Sequence, residues 1–197
     1  GFITFGSFNN PAKINDEVIN LWAEILNSVP GSRILFKYNN WYDQPTLRDR
    51  MLEQFTASGV GRDRVLFEGS DDTLADHLGR YNAIDIALDP FPFNGATTTF
   101  QALWMGVPVI SLAGETFISR AAGSLLVQVG LEECVADTPE AYVALARDLA
   151  GDLDRLKSMR ASLREQVSGS PLCNAPAYAR SVEDAYRDMW RIWCGRQ

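Results

Sequence analysis

Residues 84–110 read IDIALDPFPFNGATTTFQALWMGVPVI, which places an apolar run, a tight loop and a helical pattern in direct succession. Ile84–Asp89 is largely apolar, which is typical of a central strand covered on both faces. The loop that follows is rich in proline and ends on small residues, and Thr97–Met105 continues with helical spacing. Pro108–Leu112 then predicts a second strand. This strand-helix-strand unit indicates a parallel sheet.

The rest of the chain repeats the same alternation. The predicted strands are Phe2–Phe8, Arg33–Tyr38, Val65–Glu68 and Glu133–Ala136. The predicted helices are Asn15–Val29, Thr46–Ser58, Thr73–Tyr81, Ser119–Val129, Pro139–Ala150, Asp152–Val167 and Pro176–Trp193. The sequence therefore predicts an α/β fold, a Rossmann-like doubly wound parallel sheet over residues 1–170, with a C-terminal helix in 171–197.

The last predicted helix carries a wide stripe of aromatic and apolar side chains. Its members are Tyr178, Val182, Ala185, Tyr186, Met189, Trp190 and Trp193. Such a stripe normally packs on a core, which is the simpler interpretation. The alternative is an exposed interface for another part of the protein.

Composition and charge limit the classes of partner. The 197 residues carry a net charge of −7 without a Lys/Arg cluster, so we expect neither nucleic acid nor a membrane as a partner. The spacing of Cys134, Cys173 and Cys194 fits neither a zinc site nor a disulfide framework, which predicts a reducing, cytoplasmic compartment. The chain begins on a predicted strand without an initiator Met, which favours a piece of a longer protein.

The strongest candidate site is the loop and helix start at Asn94–Thr99. A helix N-terminus offers N–H groups and the positive end of the helix dipole. Gly95 and Ala96 let a ligand approach the backbone, and Thr97 and Thr98 add hydroxyl groups. These features suit a diphosphate. The alternative is that Thr97 only caps the helix after a simple turn.

A second polar segment follows the first predicted strand and so lies at the same edge of the sheet. Its Lys13 can neutralise charge on a leaving diphosphate, and Asn10 can donate a hydrogen bond beside it. The alternative is a solvated lysine at the start of a helix.

The third candidate is the only histidine, His77, with Arg80 one helical turn later. An imidazole can stack on a base, and a guanidinium can hydrogen-bond a pyrimidine carbonyl. The alternative is an ordinary surface pair.

Together these segments resemble the protein O-linked N-acetylglucosamine transferases, with their bacterial relatives and the plant relatives that transfer fucose. The resemblance covers nearly the whole chain and rests on residues 8–14, 85–89, 94–98, 103–108, 114–120 and 170–172. It implies a GT-B glycosyltransferase with two Rossmann-like domains, of which this chain is the donor-binding second. It also implies a C-terminal helix that packs back toward the first domain, and upstream tetratricopeptide repeats that present a protein acceptor.

The resemblance implies a role for each phosphate-side residue. Lys13 matches the lysine that contacts the donor diphosphate and is needed for activity, and Asn10 matches a Gln or Asn that assists it. Thr97 and Thr98 match the threonines that contact the phosphates at the helix start. Asn94 and Gly95 belong to the same motif.

On the base side, His77 and Arg80 match the pair at the uracil, although the loop Gly69–Thr73 differs in length. Ala96 stands where some members have a histidine. Gln101 stands where an acidic residue commonly holds the ribose hydroxyls. An amide can hydrogen-bond a diol but carries no charge.

The implied activity is metal-independent, inverting transfer of N-acetylglucosamine from a UDP-sugar to Ser or Thr of a protein, with no cofactor. Catalysis needs both sides of the GT-B cleft, so we expect this chain alone to bind the donor without transferring the sugar. One alternative is a relative that uses UDP-glucose or GDP-fucose, or that modifies Asn. Another is a nucleotide-diphosphate-binding module without transfer activity.

Overall fold

All six strands run parallel in the computed structural model of the protein, which describes residues 1–196. They are β1 (Thr4–Ser7), β2 (Arg33–Lys37), β3 (Val65–Glu68), β4 (Ile86–Leu88), β5 (Val109–Leu112) and β6 (Val135–Ala136). Their order across the sheet is β3-β2-β1-β4-β5-β6. The order reverses between β1 and β4, which opens a crevice at the carboxyl ends of these strands. The predicted Rossmann-like sheet is confirmed.

Eight α-helices connect and cover the strands in the described part of the chain. They are α1 (Asp16–Ser28), α2 (Pro45–Ala57), α3 (Leu74–Gly79), α4 (Thr97–Trp104), α5 (Ala121–Gln128), α6 (Pro139–Gly151), α7 (Leu153–Gly169) and α8 (Ala175–Cys194). The predicted helix Thr73–Tyr81 is divided, because α3 gives way to a 3₁₀ turn at Arg80–Ala83. The predicted strand Ile84–Asp89 is shortened to the three residues of β4.

Helix α1 shows how the sequence produces the packing. Asn15 caps it, since its side-chain oxygen accepts the Val18 N–H at 2.9 Å. Its apolar face includes Trp22, which is fully buried and whose indole N–H donates to the Tyr142 hydroxyl of α6 at 2.9 Å. Burying one such large side chain stabilises the fold by about 1.5–3 kcal/mol. The same contact joins two helices on one face of the sheet.

Helix α8 does not pack on this core. None of its residues is buried, and Tyr178, Tyr186 and Trp190 are 70%, 65% and 67% exposed. The interpretation of its apolar stripe as core packing is therefore wrong for the described chain. Packing of α8 against another domain remains a prediction, and Gln197 lies outside the described residues.

Candidate functional site

A cleft of about 420 Å³ lies at the carboxyl ends of β1 and β2 and beside the start of α4. Seven of the predicted site residues line it together: Asn10, Lys13, His77, Ala96, Thr97, Thr98 and Gln101. They come from three separate segments of the sequence, residues 10–13, residue 77 and residues 96–101. The sheet order brings them together, because β1 and β4 are neighbours.

The start of α4 forms one wall of the cleft. The helix begins at Thr97, and the capping position is Ala96, whose side chain accepts no hydrogen bond. The alternative role of Thr97 as a helix cap is therefore wrong. The Thr98 hydroxyl donates to the side-chain oxygen of Asn9 at 2.9 Å, which ties α4 to the loop after β1. No capping side chain accepts the first N–H groups of α4, which gives this wall the character of an anion site.

Lys13 lines the same cleft as the start of α4. It is the last residue of a 3₁₀ turn, and its ammonium donates to the Asn94 carbonyl at 2.8 Å. The same group lies 4.2 Å from the centroid of the Phe93 ring. Burial lowers the pKa of Lys13, and attraction to the Asp89 carboxylate opposes that effect. The solvated-lysine alternative is wrong, because the amine is partly buried and held in place.

His77 and Gln101 define the other end of the cleft. The His77 side chain is 28% exposed, and its Nε2 lies 3.3 Å from Gln101 Oε1. The Tyr81 hydroxyl donates to the same oxygen at 3.5 Å. The Phe8 ring packs on Tyr81 with 4.4 Å between centroids and lies 6.1 Å from the imidazole. This end of the cleft therefore combines flat rings with hydrogen-bonding groups, which suits a nucleoside.

The structure does not bring Arg80 into this cleft. Arg80 lines a separate pocket with Asp71 and donates to its carboxylate at 3.0 Å. Asp71 also pairs with Lys37, a lysine whose side chain is 1% exposed, at 2.7 Å. Arg80 is thus engaged by the β3–α3 loop rather than directed toward a ligand.

Asn94 and Gly95 lie beneath the cleft rather than on its lining. The Asn94 side chain is buried and donates to the Pro90 and Leu112 carbonyls at 3.0 and 3.4 Å. The Gly95 N–H donates to the Asp89 carboxylate at 2.7 Å. Both residues shape the loop, and only the Asn94 carbonyl contacts Lys13 directly.

Several lining residues were not among the sequence candidates. Asn9 is buried and fixes Thr98, while Tyr38 and Asn39 extend the cleft beyond β2. The available signal for the last two was the polar pair Asn39-Asn40 directly after the predicted strand Arg33–Tyr38. Asn39 has a φ of 43°, a left-handed conformation that asparagine tolerates.

Within residues 1–196, no three His, Cys, Asp or Glu side chains lie where they could jointly hold a metal ion. Over the same range, no helix has the length and apolar character needed to cross a bilayer. Metal independence and a cytoplasmic location stay predictions.

Comparison with known proteins identifies the family of the chain. The model of glycosyl transferase family 41 matches residues 1–182. The chain is 42% identical over 194 residues to the probable UDP-N-acetylglucosamine–peptide N-acetylglucosaminyltransferase SPINDLY of Arabidopsis thaliana, covering 98% of this chain and 21% of that protein. It is 31% identical to the Caenorhabditis elegans UDP-N-acetylglucosamine–peptide N-acetylglucosaminyltransferase, covering 96% of this chain and 16% of that protein.

Among solved structures, a mutant of the Thermobaculum terrenum O-GlcNAc transferase superimposes with a TM-score of 0.90 and 37% identity. The match covers 96% of this chain and 36% of that one. This chain spans about a fifth of the Arabidopsis relative. The resemblance noted in the sequence and the GT-B type of fold are confirmed, and the chain belongs to glycosyl transferase family 41, a family of glycosyltransferases.

Proposed function

We propose that this chain is the donor-binding half of a metal-independent, inverting glycosyltransferase that transfers N-acetylglucosamine from UDP-N-acetylglucosamine to Ser or Thr of proteins. One observation carries the proposal. The ammonium of Lys13 and the start of α4, which no side chain caps, line the same cleft. The names of the Arabidopsis and C. elegans relatives supply the donor and the peptide acceptor.

The chemistry follows from where charge develops. As the bond between the sugar and UDP breaks, negative charge accumulates on the β-phosphate. A fixed ammonium and helix N–H groups stabilise that charge more strongly in the transition state than in the ground state, which lowers the barrier. In this proposal Lys13, Thr97 and Thr98 do what a divalent cation does in metal-dependent glycosyltransferases.

The nucleoside occupies the end of the cleft formed by His77 and Gln101. When His77 Nε2 is protonated, its N–H donates a hydrogen bond to the Gln101 side-chain oxygen. The Gln101 NH₂ group is then left to donate hydrogen bonds to the ribose hydroxyls. The acceptor protein, and the groups that deprotonate its hydroxyl, belong to parts of the protein beyond this chain. Tetratricopeptide repeats that present the acceptor form part of the same proposal.

A second candidate is a nucleotide-diphosphate-binding module without transfer activity, and Gln101 is the observation that favours it. Gln101 is an amide and not a carboxylate, so the ribose hydroxyls have no charged acceptor at this position. Its oxygen also lies near His77 and Tyr81. A donor other than UDP-N-acetylglucosamine, such as UDP-glucose or GDP-fucose, is a third candidate. Titration of UDP-N-acetylglucosamine, UDP-glucose and GDP-fucose into the chain ranks these donors by affinity.

The decisive assay measures sugar transfer to protein by the intact protein that contains this chain. We expect Lys13→Ala to reduce kcat/KM by roughly 100-fold or more, because the charge on the leaving diphosphate loses its cation. Lys157→Ala is the matched control, since that lysine is 78% exposed on α7, away from the cleft lining, and its loss should leave transfer unchanged. Equal activity of the two variants contradicts the proposal. Donor binding without transfer by the wild-type protein favours the binding module.

A further inference from the structure

Asp89 is a buried carboxylate directly behind the proposed diphosphate site. It follows β4 and is 1% exposed. One carboxylate oxygen accepts the Gly95 N–H at 2.7 Å, and the other accepts the Ser111 hydroxyl of β5 at 2.9 Å. The side chain therefore closes the loop between residues 89 and 95 and ties it to the neighbouring strand.

The backbone of Asp89 is fixed as firmly as its side chain. Its carbonyl accepts the Tyr142 hydroxyl of α6 at 3.0 Å, and that hydroxyl in turn accepts the Trp22 indole N–H of α1. Tyr142 and Trp22 are fully buried. Two helices thus hold the first residue of the loop against the sheet.

The loop that Asp89 closes supplies both contacts that locate Lys13. The Asn94 carbonyl accepts the ammonium, and the Phe93 ring lies beside it. Packing around Gly95 is tight, because a β-carbon there would lie 2.8 Å from the Asp89 carboxylate and 2.6 Å from the Thr99 hydroxyl. A change in the Asp89 side chain is therefore transmitted to the position of Lys13.

From this arrangement we propose that Asp89 is a positioning residue, which holds Phe93 and Asn94 where they direct Lys13 at the donor diphosphate. The inference rests on the proposed function, since it needs Lys13 to bind phosphate. It adds a residue that lies outside the cleft lining and positions Lys13 through the loop.

Its buried position also makes Asp89 responsive to pH. Burial raises its pKa to about 7, while the Gly95 N–H, the Ser111 hydroxyl, the Lys13 ammonium and the Thr99 hydroxyl act in the opposite direction. The titratable groups that face it from the packed elements are Lys13 and Tyr142. A bound diphosphate adds negative charge nearby and favours the protonated carboxyl. UDP affinity should therefore fall as pH rises through 7.

A double-mutant cycle on UDP binding tests the positioning role. We expect Asp89→Ala alone to weaken UDP binding about 10-fold or more, because the Gly95 N–H loses its acceptor and the loop moves. In a Lys13→Ala background the same substitution should change affinity by less than about twofold. Asp85→Ala is the control: its carboxylate also accepts a backbone N–H, that of Thr4, but at the opposite end of β4, so UDP binding should not change.

Asp89→Asn supplies a second readout, which tests the role of Asp89 if the alanine variant does not fold. The asparagine can accept the Gly95 N–H and donate to Ser111, so UDP affinity at pH 6 should lie near the wild-type value. Between pH 6 and 8, the affinity of the wild type should fall at least about threefold more than that of Asp89→Asn, because asparagine does not ionise.

The outcomes separate this inference from the proposed function. Additive effects of Lys13→Ala and Asp89→Ala, or parallel pH profiles of the wild type and Asp89→Asn, overturn the positioning role while UDP binding stands. Failure of the wild type to bind UDP, or full binding by Lys13→Ala, overturns the proposed function and this inference with it.

Discussion

The two ends of the cleft are built in different ways. The phosphate end depends on the start of α4 and on Lys13, both fixed by short hydrogen bonds to buried groups such as Asn94 and Asp89. The proposed base end depends on His77 of the short helix α3 and Gln101 of α4, and its contacts are longer, with 3.3 Å between these two side chains. Under the proposed function, rigid backbone therefore defines where the phosphates bind, and side chains define which nucleoside is accepted.

The largest expected effect on stability comes from a matched pair of glycines, one near each end of the cleft. Gly95→Ala should lower the free energy of unfolding by about 1–3 kcal/mol, because the new methyl group overlaps the Asp89 carboxylate and two threonine hydroxyls. Gly79→Ala in α3 meets nothing within 4 Å. Alanine at that helical position should raise the free energy of unfolding by roughly 0.5–1 kcal/mol.

Urea unfolding of the two variants measures this difference, and UDP titration shows its effect on binding. We expect Gly95→Ala to lose UDP affinity and Gly79→Ala to keep it. Equal stability of the two variants would show that the phosphate loop is as adaptable as the base end.

An intermediate effect is expected from Gln101→Ala. Removing the amide should weaken UDP binding by about 0.5–1.5 kcal/mol, or roughly 2- to 12-fold, since one neutral hydrogen bond to the ribose is lost. Binding of inorganic pyrophosphate should not change, because that ligand reaches only the phosphate end. A Gln101→Ala variant that weakens both ligands equally would place Gln101 at the phosphates instead.

The smallest effect is expected from Arg80→Ala. Arg80 is half-exposed, and its guanidinium is paired outside the cleft with Asp71, whose side chain is 4% exposed, so it does not contact a nucleoside bound there. We expect less than about a twofold change in UDP affinity, measured by calorimetry, with His77→Ala as the comparison at the same end of the cleft. A loss as large as that of His77→Ala would show that Arg80 leaves Asp71 to bind the base, as the family resemblance implies.

That Asn10, Lys13, Thr97 and Thr98 lie in one cleft could be predicted from the sequence for a physical reason. These residues lie in two contiguous segments, each directly after a strand, and the sheet order brings the carboxyl ends of such strands together. The base end was less predictable because it depends on distant partners: Lys37 holds the Gly69 carbonyl across 32 residues and pairs with Asp71, which draws Arg80 away from the cleft. No local pattern carries that information.

Helix α8 shows a related difficulty. Its amphipathic pattern predicted a helix correctly, but the pattern does not specify which surface covers the apolar face. In the described chain that face is exposed, with Trp193 at 60%. Periodicity therefore predicts the element and leaves its packing partner open.

Calorimetric titration of UDP into the wild-type chain and into Lys13→Ala tests the central claim most directly. The account predicts saturable binding of UDP by the wild type, and binding by Lys13→Ala that is weaker by about 1.5–3 kcal/mol, or roughly 10- to 150-fold, because a charge-assisted contact to the diphosphate is lost. Both proteins should show the same circular dichroism spectrum. Failure of the wild type to bind UDP, or equal affinity in the two proteins, would contradict the assignment of this cleft to the donor diphosphate.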